Sequence, residues 1–500
     1  MAANMVRRTQ CPSPGPSRSP LRPAALALAA AFMLTGCAST LQPPAPPPAL
    51  TEGALETFSR ADAIAQLFAP DEARLAQWWQ QFDDAGLDAL MQQALEGNRD
   101  LRAAQATVRE ARAARAATEA SGRPQAGLSA GASRNATRSS ASNTWQLGFS
   151  ASWEPDLSGA QAAGLTAADA DLQAARADLG STRMSLAAEV GLAYVQWRGA
   201  QARQRITEAS LASLEQTLAL AKVKAQVGLA SALDLEQTRL AVEQTRASLP
   251  TLATEIAQVE HQLALLTGRT PAELQRSLPA ASSGRLVPQA PEAIQHLAVG
   301  LPSDLLRRRP DLRSAEAAVQ AAWARQEQTR RAGWPGLSLN GSVGLQALTL
   351  SGLGASGAGL AALAASIDWT VFDAGLREAQ VAQQGAALER SRAAYEAAVL
   401  GAVKDVEDAL AALRGSQDRA TALGQAADAA AATLRWTRIR HTTGLTDFDR
   451  LLEAQRDELS ALLALQTTQT DLSLNLIRTW KALGGGWTEA DTVAQNNTAS

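Results

Sequence analysis

The chain places short stretches with alternating or β-prone character between much longer helical stretches. In the first half, a helical segment from Asp100 to Ser121 stops before a proline. Two short stretches, Gln125 to Ser133 and Trp145 to Trp153, then predict strands. A very long helical stretch runs from about Gly159 to Val227, and a second helix returns to Leu266. A helix of about 68 residues would reach roughly 100 Å, which predicts a coiled coil or helical bundle rather than a compact domain.

The second half of the chain shows the same order of elements. A helical segment from Asp311 to Arg331 precedes two predicted strands, Gly336 to Leu345 and Leu360 to Phe372. A long helical stretch from Gly375 to Thr443 follows, and a last helix returns to Leu483. The repetition of order and length predicts that the two halves fold alike.

Landmarks of the two halves match at a nearly constant spacing. Four pairs differ by 216 positions: Trp153 and Trp369, Gly159 and Gly375, Gly228 and Gly444, Gly268 and Gly484. Upstream, "DLRAAQATV" at Asp100 matches "DLRSAEAAV" at Asp311, a difference of 211. These matches indicate a duplication with repeats at residues 85–270 and 300–485, joined by a linker at 271–299.

The N-terminus predicts export and lipidation. Four arginines precede an apolar run from Ala24 to Leu34, and "LTGC" ends at Cys37, so residues 1–36 are expected to be a signal peptide. "LTGC" resembles a bacterial lipobox, which implies lipid on Cys37; the alternative is a chance cysteine after an ordinary signal. Residues 37–84 would hold this anchor, a Pro-rich tether and a lead-in segment, and 486–500 a flexible tail. Loss of the four arginines leaves 42 basic against 49 acidic residues, about −7, which argues against nucleic-acid binding by bulk charge.

The four predicted strands raise the question of a membrane sheet. After the signal peptide no run of eighteen apolar residues appears, whereas strands of about ten residues suit a transmembrane β-strand. Four strands cannot close a barrel, and lipid does not tolerate an open sheet edge. Three copies would supply twelve strands. The alternative is a four-stranded sheet of a soluble protein.

Several motifs resemble one family of bacterial exit channels. They are "LPSDLLRRRPDLRSAE" (Leu301 to Glu316), "WKALGGGW" (Trp480 to Trp487), "SWEPDLSG" and "DWTVFDAG". Together they resemble TolC-like outer-membrane efflux proteins of the OprM/NodT lipoprotein branch, over nearly all of the mature chain. The resemblance implies an α+β membrane protein that forms a homotrimer. Its twelve-stranded outer-membrane β-barrel, with four strands per chain, would continue into a long periplasmic α-helical barrel.

The resemblance also implies a function and partners. Such proteins are passive exit ducts that receive small molecules or drugs from an inner-membrane pump, usually of the resistance-nodulation-division type, through a periplasmic adaptor. The duct of a type I protein-secretion system and a non-conducting, lipid-anchored periplasmic scaffold remain as alternatives. The sequence names neither the cargo nor the particular pump.

Each long hairpin turns at a Gly-Leu pair, and the family's adaptor docks on such tips. The adaptor-contact candidates are Val227, Gly228, Leu229, Thr443, Gly444 and Leu445. The two glycines also suit the left-handed position that ends a helix, so helix capping alone is the alternative.

Acidic residues follow the second tip. Asp449 and Glu453 are four residues apart, share a helix face and flank Arg450. By position they match the family's closed periplasmic aperture, and rings of acids build cation-preferring constrictions. The alternative is a solvated acidic face with Arg450 and Arg456 as neighbours.

No motif predicts an enzyme, a cofactor or a metal site. "GLGASG" (Gly352 to Gly357) fits a dinucleotide fingerprint by letter, but it lies in a loop between two strands. The three histidines lack metal-ligand spacing. His441 lies near the second tip, where it either senses pH or is an ordinary surface histidine. "RRRPD" (Arg307 to Asp311) opens a helix and is interpreted as a structural junction.

Overall fold

A computed structural model describes residues 72–138, 140–278 and 308–488. The predicted signal peptide, Cys37, the Pro-rich tether, residues 279–299 of the linker and residues 489–500 of the tail lie outside the described residues. All described residues belong to one compact unit.

The first repeat contains two strands and a long helical hairpin. It is preceded by α1 (Glu72–Ala76), a 3-10 turn (Trp78–Phe82) and α2 (Ala85–Gly97). The repeat elements are α3 (Arg99–Ser121), β1 (Gln125–Ala136), β2 (Ala141–Trp153), α4 (Ala160–Gln226) and α5 (Ala232–Leu266). A short helix, α6 (Pro271–Ser277), opens the stretch that was expected to be a linker.

The second repeat has the same elements in the same order. They are α7 (Pro310–Arg331), β3 (Gly336–Ala347), β4 (Gly359–Asp368), α8 (Leu376–Thr442) and α9 (Phe448–Ala482). A 3-10 turn at Ser351–Gly354 lies between β3 and β4, so the dinucleotide-like letters do occupy an inter-strand loop.

The lengths of the hairpin helices show how closely the halves correspond. Both α4 and α8 contain 67 residues, and both α5 and α9 contain 35. At 1.5 Å per residue, each long helix reaches about 100 Å. Glycines with positive φ bound these helices at matched positions: Gly159, Gly228 and Gly268 in one repeat, Gly375, Gly444 and Gly484 in the other.

The four strands form one antiparallel sheet in the order β1-β2-β3-β4. The two repeats therefore meet at the β2–β3 ladder, where Phe149 pairs with Val343. Within the described residues, β1 and β4 each have a strand on one side only.

Helix packing builds the cores around α4. It contacts α3, α5, α7 and α9, so the first repeat's long helix also packs against the second repeat. The largest buried cluster includes the stacked rings of Trp78 and Trp480, whose centroids lie 5.2 Å apart. A second cluster near the hairpin tips includes Leu214, Phe448 and Leu451.

Within the described ranges, no helix combines the length and the apolar character needed to cross a membrane.

Candidate functional site

The sheet has one apolar and one polar face. Because side chains alternate along a strand, residues paired across the ladders share a face. One face carries Leu128, Phe149, Val343 and Ala361 in a row, with further rows of Leu147 and Leu345, Trp153 and Leu339, and Leu337 and Ile367. The other face carries Gln125, Ser129, Gln146, Ser150, Ser152, Ser338, Asn340, Ser342 and Ser366.

The apolar face is strongly exposed in the single chain. Leu363 is 89% exposed, Leu128 64% and Phe149 62%. A soluble protein rarely leaves so large an apolar area open to water. The sidedness fits a sheet with hydrocarbon on one side and water on the other.

Tryptophans lie where the strands meet the helices. Trp153 ends β2, Trp334 precedes β3 and Trp369 follows β4. Trp334 and Trp369 are 66% and 59% exposed, and the Trp153 indole N–H donates to the Gly122 carbonyl at 3.1 Å. Aromatic residues at such positions are typical of the border between hydrocarbon and water.

The junction into each long helix uses a left-handed glycine. Gly159 and Gly375 have φ of 76° and 89°, a region that side chains with a Cβ avoid. Before α8, Asp373 accepts hydrogen bonds from the Arg377 and Gly375 backbone N–H groups at 3.1 and 3.0 Å. These bonds hold the pKa of the Asp373 carboxyl below its usual range, because they favour the ionised form.

Both predicted hairpin tips have the same backbone geometry. Leu229 N–H donates to the Lys224 carbonyl and Leu445 N–H to the Arg440 carbonyl, each at 2.8 Å. Gly228 and Gly444 have φ of 75° and 74°. This is the Schellman arrangement that ends a helix at a left-handed glycine, so both glycines cap their helices, and contact of the tips with an adaptor stays a prediction.

The tips lie side by side and are exposed. The side chains of Val227, Leu229 and Leu445 are 64%, 76% and 69% exposed, and Thr443 is also exposed. The Lys224 Nζ lies 3.2 Å from His441 Nε2, which places the ends of α4 and α8 next to each other.

The two tips differ in how the next helix begins. Ser231 and Asp234 form a reciprocal capping box at the start of α5. At the matched positions α9 has Asp447, which makes no side-chain cap bond, and Arg450.

The predicted aperture residues lie on the first two turns of α9. Asp449 and Glu453 are both exposed. Arg450 Nη1 donates to Glu453 Oε2 at 2.8 Å, and both side chains remain more than half exposed. The matched residues of the first repeat are Leu233 and Gln237, so the acidic pair belongs to the second hairpin alone. Assignment of an aperture to these residues stays a prediction.

A buried polar contact behind the aperture was not predicted from the sequence. Gln455, only 4% exposed, donates from Nε2 to Ser213 Oγ at 3.2 Å and to Thr217 Oγ1 at 3.1 Å. Arg438 donates to the same Ser213 hydroxyl at 3.2 Å. These bonds join the second hairpin to α4. A glutamine at an apolar position of α9 was the available signal, but its partners lie more than two hundred residues away in sequence.

The junction at "RRRPD" is also built from buried charge. Arg309 is 7% exposed and is the residue that precedes α7. Its guanidinium donates to both Asp311 carboxylate oxygens at 3.0 and 2.7 Å, to Asp405 at 3.3 Å and to the Ala482 carbonyl at 3.3 Å. One side chain therefore ties the start of α7 to α8 and to the end of α9, which confirms the structural interpretation of the motif.

No group of three or more His, Cys, Asp or Glu side chains in the described part of the chain is placed to hold a metal ion.

Comparison with known proteins identifies the family. The sequence model of the family "Outer membrane efflux protein" matches twice, at residues 90–269 and 301–485. Outer membrane protein OprJ of Pseudomonas aeruginosa is 32% identical over 479 residues, covering 93% of this chain and 96% of OprJ. Toluene efflux pump outer membrane protein TtgF of Pseudomonas putida is 30% identical over 473 residues, covering 92% and 96%.

The fold agrees with solved channels of this kind. The outer-membrane channel OprN superimposes with a TM-score of 0.81 at 32% identity, covering 89% of this chain and 99% of OprN. The resemblance stated from the sequence motifs is therefore confirmed. This chain belongs to the outer membrane efflux protein family, a family of channels rather than enzymes, and it is an outer-membrane exit duct for efflux.

Proposed function

We propose that three copies of this chain form a continuous, passive duct from the periplasm through the outer membrane. The observation that carries this proposal is the two-faced sheet with open edges. Buried in a bilayer, the free backbone groups of β1 and β4 would each cost several kcal/mol, so the edges must pair with other strands. Pairing β4 of one copy with β1 of the next satisfies both edges.

The strand count selects the number of copies. Four strands per chain fall short of the roughly eight strands of the smallest bacterial barrels. Three copies give a twelve-stranded barrel with the apolar face toward lipid and the serine-rich face toward the lumen. From Trp145 to Trp153 the apolar rows span nine residues of β2, which matches the 9–11 residues of a tilted transmembrane β-strand.

The long helices would form the periplasmic part of the duct. Exposed apolar side chains on α5 and α8, such as Leu240 at 52% and Leu400 at 58%, are available to contact neighbouring copies. A helix of about 100 Å carries the duct far from the membrane surface.

Energy and substrate come from partners. A passive duct has no site for fuel, so an inner-membrane pump of the resistance-nodulation-division type would drive transport, and a periplasmic adaptor would join pump and duct. The exposed residues of the two tips, with Leu229 and Leu445 the most prominent apolar ones, are the proposed adaptor contacts. Because relatives are named for efflux of toluene, small apolar organic molecules are the proposed cargo class.

The aperture is assigned to the start of α9. In a trimer, Asp449 and Glu453 would each form a ring of three, with Arg450 neutralising part of the charge. Acids at these two positions occur only after the second tip, because the first hairpin has Leu233 and Gln237 there, so the α8–α9 hairpin is the proposed gate-bearing hairpin.

A lipid on Cys37 would anchor each copy at the inner face of the outer membrane. Labelling cells with a radioactive fatty acid tests this directly. Wild-type protein is expected to carry label and Cys37→Ser protein to carry none; equal labelling of both would overturn the assignment.

Planar-bilayer recording tests the duct. The purified protein is expected to migrate as a trimer and to give small currents with a cation preference. Absence of current despite verified insertion would favour a non-conducting scaffold.

A deletion strain separates the cargo classes. A strain lacking this chain is compared with its parent for sensitivity to toluene and for secretion of proteins exported by a type I system. Loss of secretion alone would favour the secretion duct.

A further inference from the structure

The contact between Lys224 and His441 joins the two hairpins at their periplasmic ends. Lys224 lies in the last turn of α4 and His441 in the last turn of α8, and the two nitrogens are 3.2 Å apart. Both side chains are half-buried. The His441 ring also packs edge-on against Phe448 of α9, with ring centroids 5.3 Å apart.

The chemistry of the two groups fixes the protonation state that this contact allows. An ammonium group has donors only, so His441 Nε2 must accept the hydrogen bond. The imidazole is then neutral and carries its proton on Nδ1. That Nδ1 is buried and has no hydrogen-bond partner among the described residues.

A second proton on the ring would destroy the contact. It would bind at Nε2, the atom that faces the ammonium, and would leave two cations 3.2 Å apart. The buried Nδ1–H has no acceptor that could compensate. The contact therefore requires the neutral ring, and protonation of an imidazole is the charge change that acidification ordinarily brings about.

Other charged groups lie near this contact on the helices that pack together there. They include Lys222 on α4, Asp234 and Glu236 at the start of α5, Arg438 and Arg440 on α8, and Asp447, Asp449 and Arg450 at the start of α9. Among the described residues, Lys224 is the charged group within hydrogen-bond distance of the His441 ring. The position of His441 in the first repeat is held by Ala225, so the feature belongs to the gate-bearing hairpin alone.

We infer that the Lys224–His441 contact is a pH-sensitive link between the two hairpins: acidification of the periplasm releases the end of α8 from α4. As a regulatory feature of the channel, it rests on the proposed function, because release of α8 would loosen the aperture at the start of α9. The link itself is a property of the fold and is measurable without any current.

Hydrogen–deuterium exchange of the purified full-length protein tests the link. Peptides covering residues 221–230 and 436–447 are followed at pH 8 and pH 5.5, with labelling times corrected for the intrinsic rate at each pH. In wild type, corrected exchange is expected to rise about tenfold at pH 5.5, the factor expected when one hydrogen bond to a charged group is lost. His441→Gln keeps an acceptor for Lys224 without titrating, so its exchange is expected to be the same at both pH values.

Two further variants separate this link from other titrating groups. His261→Gln removes an exposed histidine on α5, and Asp449→Asn removes an acid of the aperture; both are expected to keep the wild-type pH response. A pH response that persists in His441→Gln, or is absent in wild type, overturns the inference. If exchange responds as expected but bilayers show no current at either pH, the link stands and the duct proposal fails.

Discussion

Charge at the start of α9 is expected to set the ion preference of the duct. Counting the aperture side chains, each chain carries −1 from Asp449, +1 from Arg450 and −1 from Glu453, a sum of −1. Three copies give −3. The double change Asp449→Asn and Glu453→Gln leaves +1 per chain, or +3, whereas Arg450→Gln gives −2 per chain, or −6.

These sums predict opposite shifts in reversal potential. Under a tenfold KCl gradient across a planar bilayer, a perfectly selective channel has a reversal potential of about 59 mV. The wild-type channel is expected to show a reversal potential smaller than this limit, with the sign that indicates a preference for cations. The acid double mutant is expected to lose the cation preference, and Arg450→Gln to approach the ideal limit more closely. Low salt is needed, because the Debye length is only about 10 Å at 0.1 M.

A matched control changes the same charge elsewhere on the second hairpin. Asp418 and Asp428 are exposed on α8, and the nearer one, Asp428, lies about 21 Å from the end of the helix at Thr442. Asp418→Asn with Asp428→Asn is expected to leave the reversal potential unchanged. If the control shifts it as much as the aperture mutant, or if the aperture mutant behaves like wild type, the acids at the start of α9 do not form the constriction.

Three further predictions concern the sheet, the helix junction and the tips. Val343→Arg on the apolar face is expected to cost about 2–4 kcal/mol of membrane stability and to abolish insertion into outer membranes, whereas Ser342→Arg on the polar face is expected to insert normally; membrane fractionation distinguishes them. Arg309→Met removes the buried guanidinium hydrogen bonds and is expected to lower the free energy of unfolding by about 2–3 kcal/mol in guanidinium titrations; an unchanged midpoint would mean that these bonds contribute nothing net. Gly228→Ala and Gly444→Ala should each destabilise the tip by about 1–2 kcal/mol through positive φ alone, because an added Cβ meets nothing within 4 Å. Faster hydrogen–deuterium exchange confined to the altered tip would support this prediction, and exchange as slow as in wild type would contradict it.

Helix ends were the part of the fold that the sequence predicted best. The first long helix was expected from about Gly159 to Val227 and runs over Ala160–Gln226. Its ends are set locally, by glycines whose positive φ no neighbouring residue can adopt cheaply. Such signals need no knowledge of distant contacts.

Strand ends were predicted less well, because pairing decides them. β1 extends to Ala136 and β2 begins at Ala141, since the ladder continues to the Ala136–Ala141 pair. The polar residues there gave no strand signal of their own. In the other direction, β4 ends at Asp368 rather than Phe372, where its ladder with Gly336 ends.

The packing of the lead-in segment could not be predicted from the local sequence. Trp78 was expected to precede the folded repeats, yet it is fully buried and stacks on Trp480 near the opposite end of the chain. Gly191 of α4 makes room for it, because a Cβ there would lie 2.4 Å from the Trp78 ring. Adjacent tryptophans were a visible sign of burial, but their partners were set by tertiary packing.

The two repeats share a backbone and differ where function is proposed. Both tips have the same glycine, the same turn and helices of the same lengths, so the duplication alone would give two equivalent hairpins. Three exchanges near the second tip add a charged or titratable group: Ala225 becomes His441, Leu233 becomes Asp449 and Gln237 becomes Glu453. The loss of the reciprocal capping box leaves the start of α9 less firmly held by its own side chains than the start of α5. On the proposed assignment, the hairpin that bears the aperture is thereby distinguished from the other hairpin of the same scaffold by the charge it carries and by a less firmly held helix start.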